Sequence, residues 1–151
     1  MSEVCEIPRI RATSEEIRDI LHHAQVIAVV GLSANPERDS HGVARFLMEQ
    51  GYEVIPVNPN YPEVLGQKSY PSLLDIPLGI RVDVVDIFRR MEAVPEIVDQ
   101  AIQVGAKVIW MQEGIVHNTA AEKAREAGLK VVMNRCMMKE YRGHFLATSS
   151  R

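Results

Sequence analysis

With 151 residues, 46% of them hydrophobic and 25% charged, the chain is long enough to bury a core without disulfides or a structural metal. Its net charge of −3 excludes the broad basic field of a general nucleic-acid binder, and no apolar run approaches the roughly 18 residues of a membrane span. Cys5 and Cys136 lie far apart with no CxxC or Cys/His pairing, which argues against a zinc site and, with no signal-like start in MSEVCEIPRI, for a cytoplasmic protein.

Thr13, three residues before Glu16 and just ahead of Ile17, Ile20, Leu21 and Ala24, forms a capping box that opens an amphipathic helix. His22 and His23 on that helix face different directions and lack a third ligand, so they are surface residues. Val26 to Val30 is a continuous β-branched run, the mark of a buried parallel strand, and it stops at Gly31. A polar loop from Leu32 to Ser40 leads to a helix opened by His41 or Gly42, with Val43, Phe46 and Leu47 on one face and Gly51 as its stop. A strand, a loop and a helix in this order make a phosphate-binding layout, because the helix start presents free N–H groups and its positive dipole end.

Tyr52 to Val57 is a second strand that leaves through the turn Asn58-Pro59-Asn60. A Rossmann site for NAD places an acid about 20 residues beyond its glycine loop; Asn58 is neutral, and the loop has neither GxGxxG nor GxxxxGK[ST]. Lys68 to Tyr70 reads as a short third strand, and Pro71 to Leu74 as one helical turn ended by Pro77. Val82 to Phe88 is the next strand, followed by a helix from Glu92 to Val104 closed by Gly105. Phe88, Arg89 and Arg90 between them fall where open α/β sheets bind ligands, and an aromatic ring with two cations suits an adenine nucleotide.

Lys107 to Gln112 is a strand ending in Glu113-Gly114, and Thr119 with Glu122 caps a small-residue helix that reaches Ala127 and Gly128. His117, in the turn before it, reads as a surface residue, and His41 as a capping residue within reach of an anion. Leu129 to Met133 is the last strand, and Met137 to Arg151 reads as an irregular tail. Strands alternating with helices predict an α/β fold, a doubly wound parallel Rossmann-like sheet of order about 3-2-1-4-5.

The segments VGLSANPERDSHGVARFL, GYEVIPVNP, VDVVDIFRR, AKVIWMQEGI and AGLKVVMNRC, in this order, resemble the small stand-alone CoA-binding domain proteins. A weaker resemblance runs to the nucleotide-binding domain of the succinyl-CoA synthetase α subunit and of ADP-forming acyl-CoA synthetases. It implies one CoA-binding domain over 1–151, with its core at about 13–145 and peripheral ends at 1–12 and 146–151. It also implies coenzyme A, free or acylated, as cofactor. Gly31, Ser33, Ala34, Asn35, Pro36 and Ser40 would surround the phosphates, with Arg38 in reach. Asn58, Phe88 and Arg89 would line the adenosine and Gln112 and Gly114 the pantetheine arm; Cys136 would approach the thiol, the alternative being a small buried hydrophobe. No phosphohistidine domain accompanies these segments and no base-activated nucleophile is evident, so a binding module ranks ahead of an enzyme. An NAD(P)-dependent oxidoreductase is the runner-up, with acyl transfer through Cys136 behind it. No metal, nucleic acid or membrane is expected, and a homo-oligomer or a separate partner protein stays open.

Overall fold

The computed structural model describes residues 6–146. Cys5 and the last residues of the expected tail lie outside them. Helix α1 (Ser14–His23) starts on the expected capping box, in which Thr13 Oγ1 accepts from Glu16 N and Glu16 Oε1 accepts from Thr13 N. The Thr13 backbone hydrogen bond holds the Glu16 carboxyl below its usual pKa.

Strands β1 (Val26–Val30) and β2 (Glu53–Val57) flank helix α2 (Asp39–Glu49) in sequence. A small antiparallel hairpin, β3 (Glu63–Val64) with β4 (Gln67–Lys68), follows, then β5 (Val84–Ile87), α3 (Val94–Gln103), β6 (Val108–Met111), α4 (Asn118–Glu126), β7 (Lys130–Val132) and α5 (Met137–Tyr141). Five parallel strands pair in the order β2-β1-β5-β6-β7. The sheet is therefore doubly wound as expected, but the order 3-2-1-4-5 is corrected. Polar Gln67 and Lys68 pair with β3 instead, Tyr70 makes a single bridge to Val57, and β7 completes the far edge.

Alternate residues of β1 serve opposite faces. Ala28 and Val30 pack with α3 and α4, whereas Ile27 and Val29 pack with α1, α2 and α5. The connection that enters β5 covers the first face only with a 3-10 turn, Leu73–Asp75, whose Leu73 is buried. Pro95 sits in the first turn of α3, behind another 3-10 turn at Met91–Ala93.

Of the boundaries that differ from the sequence reading, three differ most. Helix α2 begins at Asp39 rather than at His41 or Gly42, because its first turn is polar and leaves no apolar trace. Helix α4 is capped by His117, whose Nδ1 accepts from Ala120 N, and not by Thr119. The tail is ordered through Leu146: after α5 a π-helical turn, Arg142–Leu146, carries Phe145 against Tyr141, which also packs edge-on against Phe46 and Tyr52. Burial raises the pKa of Tyr52, whose hydroxyl donates to Leu21 O. The amino-terminal stretch is also tied down, since Glu6 Oε1 accepts from Asn118 N and Asn118 Nδ2 donates to Ile7 O.

Candidate functional site

In an open parallel sheet, crossovers that leave toward opposite faces open a crevice at the carboxyl ends of the strands. Here that point is the β1/β5 pair. Gly31 follows β1 with φ +90, and a Cβ on it would collide with Phe88 O and stand 2.9 Å from Arg89 Cδ. Only glycine allows the two strand ends to approach this closely. Above them opens a cleft of about 1240 Å³, bounded by the loop after β1, the start of α2, the turns after β2, β5 and β6, and the start of α5. A second cavity of about 660 Å³ lies at the opposite, amino edge, between the ends of α1 and α4, away from every loop discussed above.

The loop after β1 holds its shape through its own side chains. Ser40 Oγ accepts from Ser33 N at 3.0 Å, Ser33 Oγ from Asn35 N at 3.0 Å, and Asn35 Oδ1 from Glu37 N at 2.9 Å. His41 Nδ1 donates to Ser33 O at 2.9 Å, and Asn58 Nδ2 donates to Leu32 O at 3.0 Å while its Oδ1 accepts from Asn60 N. Arg38, the N-cap of α2, makes no side-chain cap, and the N–H groups of Asp39 and Ser40 find no protein acceptor among the described residues. The first turn of α2 thus presents free donors beside the cleft.

Charge around the rim is mixed. Arg38, Arg89 and Arg90 line the cleft and form no ion pair with any described residue. Glu37 and Asp39 share the rim and weaken the positive field. At the other end Lys139 Nζ donates to both oxygens of Glu113, at 3.1 and 3.2 Å, and that hydrogen bond raises the lysine pKa.

The structure brings Gly31, Ser33, Pro36, Arg38, Asn58, Phe88, Arg89, Gln112 and Cys136 to the cleft lining. Ala34 and Asn35 stay on the exposed outer part of the loop, and Ser40 is buried beneath it. Gly114 does not line the cleft either; its N–H donates to Asn134 Oδ1 at 2.7 Å. Gln112 is buried and its Oε1 accepts from Met137 N, which fixes the start of α5. Cys136 is 6% exposed and is the N-cap of α5. Sequence reasoning missed Tyr61, Met138 and Lys139 on the lining, and Asn134, whose φ of 62 shapes the turn after β7. A lysine three residues beyond Cys136 was the available signal, had a helix been placed at the end of β7.

Residues 25–142 match the CoA binding domain model. The chain belongs to the CoA-binding domain family. It is similar to protein YneT of Bacillus subtilis (strain 168), at 42% identity over 81% of this chain and 89% of that one. A solved structure described as a hypothetical protein from Pyrococcus horikoshii OT3 superposes with a TM-score of 0.84 at 49% identity, covering 95% of this chain and 98% of the other. The ADP-forming acetate–CoA ligase II of Archaeoglobus fulgidus is 34% identical over 69% of this chain, which spans only 15% of that relative's length. What the family shares with such a ligase is therefore one segment of a much longer protein. Among the described residues no helix is long and apolar enough to cross a membrane, and no three His, Cys, Asp or Glu side chains cluster as metal ligands.

Proposed function

We propose that this protein binds coenzyme A, free or acylated, in the cleft at the carboxyl edge of its sheet, as one CoA-binding domain with no catalysis of its own. The observation that carries this reading is the set of three unpaired arginines and free helix-start donors around one long cleft. Coenzyme A has three phosphate groups to meet them, a pyrophosphate and a ribose 3′-phosphate. The pyrophosphate lies over Ser33 to Gly42, the adenosine toward Phe88 and Arg89, and the pantetheine arm runs past Gln112 toward Cys136. Family membership supports the ligand; the ligase relatives do not transfer their reaction, since fold kinship alone does not carry chemistry. Acyl transfer through Cys136 would need a base, and no side chain hydrogen-bonds that thiol among the described residues.

Calorimetric titration with CoA, 3′-dephospho-CoA and NAD tests the proposal. CoA should bind most tightly, and an equal or tighter affinity for NAD would refute it in favour of a dinucleotide enzyme. Arg89→Ala should weaken CoA by about tenfold, the scale of one charge-assisted contact, and weaken 3′-dephospho-CoA less. Equal losses for both ligands would place Arg89 away from the 3′-phosphate.

A further inference from the structure

Among the described residues one buried carboxyl has no hydrogen-bond partner. Asp86, in β5, is 0% exposed, and neither of its oxygens accepts or donates a hydrogen bond. Its register neighbours are Val29 on β1 and Trp110 on β6, both also at 0% exposure. Val84 and Phe88, two residues to either side of Asp86, belong to the core cluster beneath α1, α2 and α5, so Asp86 faces that same cluster. By contrast Asp83, three residues earlier, is fully employed: Oδ2 accepts from Gln25 N and Val26 N, and Oδ1 pairs with Arg81.

The position of Asp86 links it to the cleft. Phe88, Val43 and Cys136 belong both to this cluster and to the cleft lining. Trp110, beside Asp86, donates its indole N–H to Arg135 O at 2.9 Å and so pins the peptide that leads into Cys136 and α5. We propose that Asp86 is a positioning residue: its protonated carboxyl lies in the layer beneath the cleft floor, and loss of that proton displaces Trp110 and the Arg135–Met137 turn and weakens ligand binding. The inference rests on the CoA reading for its ligand, but not for its first step.

A neutral carboxyl can remain among Val29, Trp110 and the neighbouring apolar side chains, whereas a carboxylate there must find water or a cation. Burial alone raises the pKa of Asp86 well above the usual value, with no charged neighbour contributing. The other titratable groups buried or half-buried on this face are His41, Tyr52, Tyr61, Cys136, Tyr141 and the His144–Glu140 pair, and none of them hydrogen-bonds Asp86. Helices α1, α2 and α5 cover this layer, and the first turns of α2 and α5 form part of the cleft wall.

The chain has one tryptophan, so its fluorescence reads this layer directly. Trp110 emission is followed from about pH 5 to about pH 10, and affinity is measured in parallel with S-methyl-CoA, which has no thiol to titrate. The wild-type protein should show a titration in Trp110 emission, with affinity falling about tenfold across the same step. Asp86→Asn should abolish both changes, and Cys136→Ser should preserve both. A wild-type emission that stays flat while the protein remains folded overturns the proposal, whether or not Asp86→Asn folds. Identical pH profiles in wild type and Asp86→Asn overturn it as well. Failure of S-methyl-CoA to bind at neutral pH counts against the CoA reading alone, since the Trp110 titration still decides the role of Asp86.

Discussion

Gly42→Asp should lower CoA affinity by roughly 100-fold while leaving thermal stability unchanged or slightly raised. Gly42 lies in the first turn of α2, lines the cleft, and has nothing within 4 Å of the position a Cβ would take. Its φ is not in the left-handed region, so a side chain costs the backbone nothing, and replacing glycine inside a helix gains up to about 1 kcal/mol. A carboxylate near a helix start is itself favourable. At about 6 Å from a bound phosphate it opposes binding by about 2–3 kcal/mol at an effective dielectric constant of about 20. Titration calorimetry with a parallel thermal melt checks both halves. Undiminished affinity would move the phosphates away from α2. Ser40 is a poorer place for the same test, because its buried Oγ holds Ser33 N and a change there would disturb the loop itself.

Gly31→Ala should act on the opposite side of the balance, lowering stability by about 3 kcal/mol and the melting temperature by roughly 10 °C. A methyl group at φ +90 is strained, and it meets the backbone carbonyl of Phe88, which cannot swing aside as the Arg89 side chain can. Relief requires β1 and β5 to part at their carboxyl ends, which opens the crevice where the ligand sits, so affinity should fall too. A melt within about 2 °C of wild type would show that this approach is not as tight as the structure has it.

Much of the frame was legible because buried parallel strands are continuous β-branched runs. VIAVV and VDVVDIF announce themselves, and Gly31 marks where the first must turn. What escaped had weak or misleading local chemistry. Lys68 to Tyr70 was expected in the sheet, but alternation over three residues cannot distinguish a sheet strand from a hairpin arm. His117 is outside the usual set of capping residues, although its imidazole nitrogen accepts as a serine oxygen would. Met137, Tyr141 and Phe145 stand four residues apart, a helical stripe that Gly143 and the polar residues between them obscure.

At the site, residue type suggested contact where the structure shows internal work. Ser33, Asn35, Ser40 and Asn58 are polar residues in a ligand-shaped loop, yet their hydrogen bonds hold that loop together. Asp86 and Asp83 stand in the same expected strand, and nothing in VDVVDIF tells the unpartnered carboxyl of Asp86 from the fully employed one of Asp83. That distinction needs the neighbouring strands.

Native mass spectrometry of the purified protein with CoA added tests the central claim most directly. The account predicts a mass increase of one CoA per chain, retained in Cys136→Ser and largely lost in Gly42→Asp at the same ligand concentration. A wild-type protein that shows no CoA adduct, or a Gly42→Asp protein that retains it in full, would contradict it.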